Sequence, residues 1–512
     1  MKKKLFSLLS MAILIMAVLG GCADGTEESS GDNSSKEPTY GGSVVVGIQQ
    51  DFDSLDPHKA TAAGTKEVLF NIFEGLVKSD ENGDLICAVA GDYTVSEDGL
   101  VYTFTLRENV KFHNGNTVTA EDVKYSLERA SGLLDGNALI SSLSTLTSVD
   151  IIDAKTVQVT VGSANTELIY SFVAAIIPKG SGEDAKANPV GTGPFSFVSY
   201  IPQEGMTVAK NADYWQEGLP YLDEVTFKIV NSADTALFEL QAGTIQVYAY
   251  LTDSQASTLK NSHQVLASAS NMVQALFLNN AAKPLDNKLV RQAILYALDN
   301  EEINLFVGGG HGTLVSSAML PTLPTYYVDL NDTYGTTDNA AKAKELLAQA
   351  GYPNGFDLEI TIPSNYEFHM QTGEVIVEQL KAVGINAKIK SVEWATWLDE
   401  AYNGRNYQAT ITAITSDLTP GYLLNRFESD SSKNFINFAN AQYDETYIKA
   451  LNAMDLTEKA NYYKQLQKIL CDDAASAFIQ APANLTAIDK KLGGYLFYPV
   501  YVQDMSTVYY VK

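Results

Sequence analysis

Ser96-Glu97-Asp98-Gly99-Leu100-Val101-Tyr102-Thr103-Phe104-Thr105-Leu106-Arg107, then Val110-Lys111-Phe112-His113-Asn114-Gly115, then Thr119-Ala120-Glu121-Asp122-Val123-Lys124-Tyr125-Ser126-Leu127-Glu128-Arg129, is the stretch on which the fold turns. Tyr102, Phe104 and Leu106 alternate with Thr103 and Thr105, the period of a strand with one face in a core. Gly99 and Gly115 fall where the chain must turn. Thr119 with Asp122 three residues on makes a capping box, and Val123, Leu127 and Ala130 then share one helical face.

The same two periods recur outward from this stretch. Val157, Val159 and Val161 alternate with polar residues, as do Val225, Phe227 and Ile229, and Ile385, Ala387 and Ile389. Asp286 is expected to cap a helix with the stripe Leu289, Val290, Ala293, Ile294, Ala297 and Leu298. Asp338 is expected to open another that ends at Gly351, where a left-handed residue suits glycine. A helix from Glu374 to Val383, Gly384 and a strand from Ile385 to Lys390 form one repeating unit. Helices covering a sheet in this way indicate α/β architecture.

A chain of 512 residues, 46% hydrophobic and 19% charged, buries a large core and has a prior of about three domains. Its formal net charge of −26 repels a phosphate backbone, which argues against nucleic-acid binding. Three cysteines (Cys22, Cys87, Cys471) make no disulfide framework or CxxC zinc site, and the five histidines form no HxxxH pair. Cys87 and Cys471 read as small buried hydrophobes. There is no P-loop, no GxSxG and no GxGxxG opening a helix after a strand. The run Gly308-Gly309-Gly310-His311-Gly312 follows a helix rather than opening one, so it is a loop and not a phosphate cradle. No catalytic residue, metal ligand or cofactor is expected.

The amino terminus carries an address. Lys2, Lys3 and Lys4 precede an uncharged apolar run from Leu5 to Leu19, the pattern of a signal peptide over residues 1–21. Its end, Leu19-Gly20-Gly21-Cys22, resembles a bacterial lipobox, which makes Cys22 the expected lipidation site. Residues 22–39 are rich in Ser, Gly and acids and read as a flexible tether. The expected location is the outer face of the cytoplasmic membrane, with a lipid as the anchor.

The opening stretch as a whole resembles the signature of the extracellular solute-binding proteins, family 5, which serve ABC importers of peptides and nickel. Ser54-Leu55-Asp56-Pro57, Phe73-Glu74-Gly75-Leu76 and Val190-Gly191-Thr192-Gly193-Pro194-Phe195 match further segments. So do Val290-Arg291-Gln292-Ala293, Tyr296-Ala297-Leu298-Asp299, Ala348-Gln349-Ala350-Gly351-Tyr352, and Asn437-Phe438 with Asp444. The resemblance implies a bilobal periplasmic-binding-protein-like α/β fold of the large cluster C type, with three domains and a hinge. Domain I would take residues 40–72, 190–283 and 477–512, domain II residues 73–189, and domain III residues 284–476. It implies a monomeric, non-enzymatic binding protein that traps its ligand by lobe closure and passes it to a permease with its ATPase subunits.

Peptide-binding relatives hold their ligand as an added strand and pair its ammonium with an Asp that follows an apolar strand of domain III. Here Tyr407-Gln408-Ala409-Thr410-Ile411-Thr412-Ala413-Ile414-Thr415 is followed by Ser416-Asp417, so Asp417 matches by position, with turn capping as the alternative. The Arg with which dipeptide-binding relatives clamp the carboxylate is missing from Ser364-Asn365-Tyr366, which favours a longer peptide. Trp394 and Trp397 suit an aromatic wall or core packing equally. Asp51 and Phe52 lie where relatives touch the ligand backbone. The expected ligand site is therefore Asp51, Phe52, Tyr366, Trp394, Trp397, Ser416 and Asp417, with an oligopeptide as ligand. A nickel chelate, haem, an oligosaccharide or a signalling peptide are the alternatives on the same fold.

Overall fold

The β-branched run Val44-Val45-Val46 suits a strand buried between neighbours. In the computed structural model, which describes residues 37–512 except 231, 335–338, 365 and 418, it lies in the strand Ser43–Ile48. Cys22, the signal peptide, most of the tether and the expected cap Asp338 lie outside the described residues. Pro38 and Thr39, placed at the end of the tether, instead form a short strand pairing with Val511 and Tyr510.

Three large sheets carry the architecture. The seven-stranded sheet runs in the order His263–Ala269, Ala483–Asp489, Val247–Tyr248, Ser43–Ile48, Glu224–Ile229, Gly205–Lys210, Phe195–Ile201. Its three strands Val247–Tyr248, Ser43–Ile48 and Glu224–Ile229 are parallel. The six-stranded sheet runs Thr313–Leu314, Ser476–Ala481, Met272–Leu278, Ala409–Thr415, Asp357–Pro363, Asn386–Val392, and its last three strands are parallel. The four-stranded sheet is antiparallel and contains the opening stretch: Ala90–Val95, Val101–Leu106, Thr156–Val161, Leu146–Ile151.

In that sheet Tyr102, Phe104 and Leu106 all face the core, and Phe104 meets Phe172 edge-on at 4.8 Å. The helix Ala120–Ser131 begins with the expected capping box, in which Thr119 and Asp122 satisfy each other's backbone N–H groups. Val123, Leu127 and Ala130 bury against the sheet. One cap differs from expectation. The helix Lys288–Ala297 is capped by Asn287, whose Oδ1 accepts from Leu289 N–H at 2.9 Å, and Asp286 lies one residue earlier, in a turn whose N–H donates to the Ala282 carbonyl. Gly351 has φ +92°, the left-handed exit expected after the helix Ala340–Gln349.

The chain passes between the seven- and six-stranded sheets through two adjacent segments. His263–Ala269 continues through Ser270 and Asn271 into Met272–Leu278, and Ser476–Ala481 continues through Pro482 into Ala483–Asp489. These strands pair with each other on both sides of the crossing, and Ser270 N–H donates to the Pro482 carbonyl at 2.8 Å. The crossing is thus a two-stranded ribbon joining two lobes.

The four-stranded sheet is tied to the first lobe by Arg129. Its guanidinium meets Asp56 at 2.6 Å and 3.1 Å, with both side chains buried. On its other side Glu167 reaches the second lobe. Glu167 Oε1 accepts from Gly421 N–H at 3.1 Å and from the Tyr463 hydroxyl, and lies 3.5 Å from Lys459 Nζ. Lys459 also donates to Thr166 Oγ1 at 2.5 Å. Burial pushes the lysine's pKa down, opposed by Glu167. Removing one partner of a buried pair strands the other. Glu167→Ala is expected to cost about 3–5 kcal/mol in chemical denaturation. Replacing the pair together by Leu and Met should cost much less, and a loss below about 1 kcal/mol for the single variant would show that the pair is not a brace.

Candidate functional site

In open α/β sheets the crevice outside the carboxyl ends of parallel strands is the place where ligands lie. Here two such ends are supplied, one by each lobe. In the first lobe, Ser43–Ile48 and Val247–Tyr248 run into Gln49-Gln50 and Ala249-Tyr250. In the second, Asp357–Pro363, Asn386–Val392 and Ala409–Thr415 run into Tyr366, Trp394 and Asp417. Three of the expected residues are therefore brought to one edge by adjacent strands. Burial pushes the pKa of Tyr501, in the first lobe, up, and the charges of Glu67 and Tyr366 add to the shift.

At the first lobe's strand ends is a cavity of about 330 Å³. Gln49, Gln50, Glu67, Tyr250, Tyr501 and Gln503 are among its lining residues. Glu67 sits on the short helix Ala63–Leu69 and is 6% exposed. The Tyr250 hydroxyl donates to its Oε1 at 2.8 Å. Tyr250 holds φ at +64°, a strained value for a non-glycine residue that turns its ring onto Glu67. Gln503 Oε1 is buried without a hydrogen-bond partner among the described residues. None of these six residues stands out in sequence. Glu67 follows Lys66 like any acid on an amphipathic helix, and only the strand ends reveal its neighbours.

In the second lobe three rings form a ladder. Tyr366, 42% exposed, meets Trp394 edge-on at 5.5 Å, and Trp394 stacks on Trp397 at 5.0 Å with the planes 12° apart. Trp397 is 3% exposed, and its Nε1–H donates to Thr410 Oγ1 at 2.8 Å inside the sheet. The outer two rings face solvent while Trp397 belongs to the core that holds them.

Asp417 is exposed, yet protein crowds around its carboxylate, as on the wall of a cleft. Burial pushes its pKa up; the Thr419 N–H, donating at 2.8 Å, opposes this, Glu167 adds to it and Lys433 opposes it. The contact with Thr419 is the Asx turn that the alternative reading expected, and it leaves the carboxylate without a cation at ion-pair distance among the described residues. Ser416 is buried. Its N–H donates to the Asn271 carbonyl at 2.7 Å and its carbonyl accepts from Asn271 Nδ2 at 3.0 Å, which ties the strand end to the crossing ribbon.

Asp51 and Phe52 follow the cavity wall directly but do not line it. Asp51 accepts from the Tyr200 hydroxyl at 2.6 Å and from Gln203 N and Nε2 at 2.9 and 3.0 Å. Phe52 meets Tyr200 edge-on at 5.4 Å. Both clamp the loop onto the Phe195–Lys210 hairpin. Gly308 ends the helix Asn300–Gly308, the run from Gly309 to Gly312 is the expected loop, and His311 Nε2 lies 3.2 Å from Asp253.

Burial pushes the Glu67 pKa up from 4.5 to about 7, against the hydrogen bonds from Tyr250 and Gln503. Between these two values the folded state holds a proton that the unfolded chain has released, so stability falls as pH rises across the interval. The pH dependence is worth up to about 3 kcal/mol. Glu67→Gln keeps an acceptor for Tyr250 and removes the charge. Its denaturation midpoint should exceed the parent's at pH 8 and match it near pH 4.5. An unchanged pH dependence would place the Glu67 ionisation elsewhere.

Residues 84–435 match the family of bacterial extracellular solute-binding proteins, family 5. The chain is 28% identical to the glutathione-binding protein GsiB of Salmonella typhi over 476 residues, covering 89% of this chain and 92% of that protein. Among solved structures, HbpA2 of Haemophilus parasuis superposes with a TM-score of 0.82 at 26% identity, covering 92% of this chain and 100% of that one. The periplasmic binding protein DppA of Helicobacter pylori, solved with the peptide STSA, gives 0.72 at 25% identity, covering 93% and 99%. The two facing strand edges, the ribbon between the lobes and the match along most of the sequence have one meaning: this chain belongs to the bacterial extracellular solute-binding proteins, family 5.

Proposed function

We propose that this protein captures oligopeptides outside the cytoplasm, between its two lobes, and presents them unaltered to an ABC permease and its ATPase subunits. The observation that carries the reading is Asp417, an exposed carboxylate without a cation at ion-pair distance among the described residues, at the carboxyl end of a central strand. Such a group suits a peptide ammonium, and closure of the lobes would desolvate and strengthen the pair. Tyr366 and Trp394 offer faces for side chains, while Trp397 and Ser416 hold Trp394 and Asp417 from behind. Asp51 and Phe52 act by fixing the loop that carries Gln49 and Gln50. The glutathione-binding relative and the peptide complex support a peptide as ligand. The proposed division is domain I at residues 40–72, 190–283 and 477–512, domain II at residues 73–189 and domain III at residues 284–476; sheet membership departs from it at the crossing, where Met272–Leu278 and Ser476–Ala481 belong to the six-stranded sheet.

Calorimetry with a free and an N-acetylated form of one tetrapeptide, on the parent and on Asp417→Ala, tests the anchor. A charge-assisted contact supports an expected 10- to 100-fold loss on substitution for the free peptide, and little further loss for the acetylated one. The same titration followed by small-angle scattering should show a smaller radius of gyration with peptide. Equal affinity for free and acetylated peptide would remove Asp417 from this role.

We further propose that Cys22 is lipidated and holds the protein, as a monomer, on the outer face of the membrane. Cys22→Ala should leave the precursor uncleaved or release the protein from the membrane fraction. Unchanged processing and retention in cell fractionation would overturn this.

A further inference from the structure

The first-lobe cavity holds a buried acid for which the Asp417 anchor has no use. Among the described residues, the buried acids Asp56, Glu74 and Glu167 each meet a cation, respectively Arg129, Lys78 and Lys459. Asp504 instead has a donor on each oxygen, the Ser506 N–H at 2.8 Å and the Tyr498 hydroxyl at 2.7 Å. Glu67 differs from these four. It meets no cation at ion-pair distance among the described residues, and it lines a cavity of about 330 Å³. Four segments of the first lobe build that space: the end of Ser43–Ile48, the helix Ala63–Leu69, Ala249-Tyr250, and the stretch from Tyr501 to Gln503. Gly64 lets Gln50 lie over the first turn of the helix, since a β-carbon there would stand 2.6 Å from Gln50 Nε2. The Gln503 N–H donates to the Glu67 carbonyl at 3.2 Å, which fixes the carboxy-terminal segment on the helix. Tyr250 and Tyr501 stand as two aromatic walls, their ring centres 6.2 Å apart and their planes at 49°. No lysine, arginine or histidine is among the described residues that line the cavity.

We propose that this cavity is a subsite for a basic side chain of the ligand, with the Glu67 carboxylate as its counter-ion and specificity-determining group. The inference deepens the peptide reading and rests on it. Ligand pockets span about 300–1,000 Å³, so this cavity, at the small end, suits one long side chain rather than a whole peptide. Aromatic walls accept the apolar stem of lysine or arginine and attract its cationic head. Gln49 and Gln50, which also line the space, carry acceptors that a five-donor guanidinium can use beside the carboxylate. A buried carboxyl without a counter-ion is held back from ionising, as the rise of the Glu67 pKa by burial to about 7 reflects. A cation beside it reverses that cost. An uncharged side chain of the same shape leaves the cost in place, and that difference is the source of the selectivity.

The test uses alanine tetrapeptides in which one position at a time carries arginine or its uncharged isostere citrulline, titrated by calorimetry into the full-length mature protein. At one position at least, the arginine form should bind about tenfold or more tightly than the citrulline form. Glu67→Gln should abolish that preference and leave the citrulline form within about twofold of its parent affinity. Glu67→Asp, which keeps the charge on a shorter stem, should retain part of the preference, a rescue that a purely structural role for Glu67 does not produce. Arginine and citrulline forms that bind the parent alike at all four positions overturn the basic subsite. So does a preference that survives in Glu67→Gln, or an equal loss for both forms in that variant. If Asp417→Ala still weakens the citrulline forms, the peptide reading stands without the subsite. Binding of none of the peptides overturns both readings.

Discussion

Everything at the site depends on how the chain crosses between its lobes. Two antiparallel segments pass side by side, joined by the Ser270 N–H to Pro482 carbonyl bond and by strand pairing on either side. A single linker would leave the lobes free to rotate about several axes. A paired ribbon resists sliding and splaying and retains bending across its own face, which is the motion needed to bring two strand edges together. Asn271, within the ribbon, bonds both backbone groups of Ser416, so the residue before Asp417 is part of the crossing itself.

Around that ribbon the fold uses buried charge to join its parts. Asp56 with Arg129 ties the four-stranded sheet to the first lobe, and Glu167 with Lys459 and Tyr463 ties it to the second. Such pairs contribute little net stability compared with apolar packing, but breaking one is expensive, so they fix geometry more than they add energy. Glu167 has a second consequence. By accepting from Gly421 N–H it pins the far end of the turn that begins at Asp417, and its charge opposes ionisation of that carboxylate. The brace and Asp417 are electrostatically linked.

The site divides chemically between the lobes. The first offers a cavity with a buried carboxyl, two tyrosines and glutamines, and the second offers the aromatic faces of Tyr366 and Trp394 with Asp417 at a neighbouring strand end. Polar groups that are buried or crowded in a low-dielectric surrounding interact strongly with whatever reaches them, and are costly when nothing does. The proposed closure over a ligand would draw on both effects.

How much was legible in sequence follows from the range of the interaction concerned. Tyr102, Phe104 and Leu106 faced the core, and Thr119 with Asp122 capped a helix, because alternation and capping are settled within a few residues. The family was legible for the same reason, since its motifs are runs of such local solutions. The cap sits at Asn287 instead of Asp286, which lies in a preceding turn that the helical pattern does not report. Trp394 and Trp397 were indistinguishable three residues apart. Only the path of the chain after the Asn386–Val392 strand put one at the surface and the other against Thr410. Glu67 with Tyr250 and Gln503 had no sequence signal, because sheet order brings these residues together. Sequence by itself determined the local elements and the fold family. The tertiary structure alone decided which polar groups face the cleft unpaired, since pairing depends on long-range contacts that no local spacing encodes.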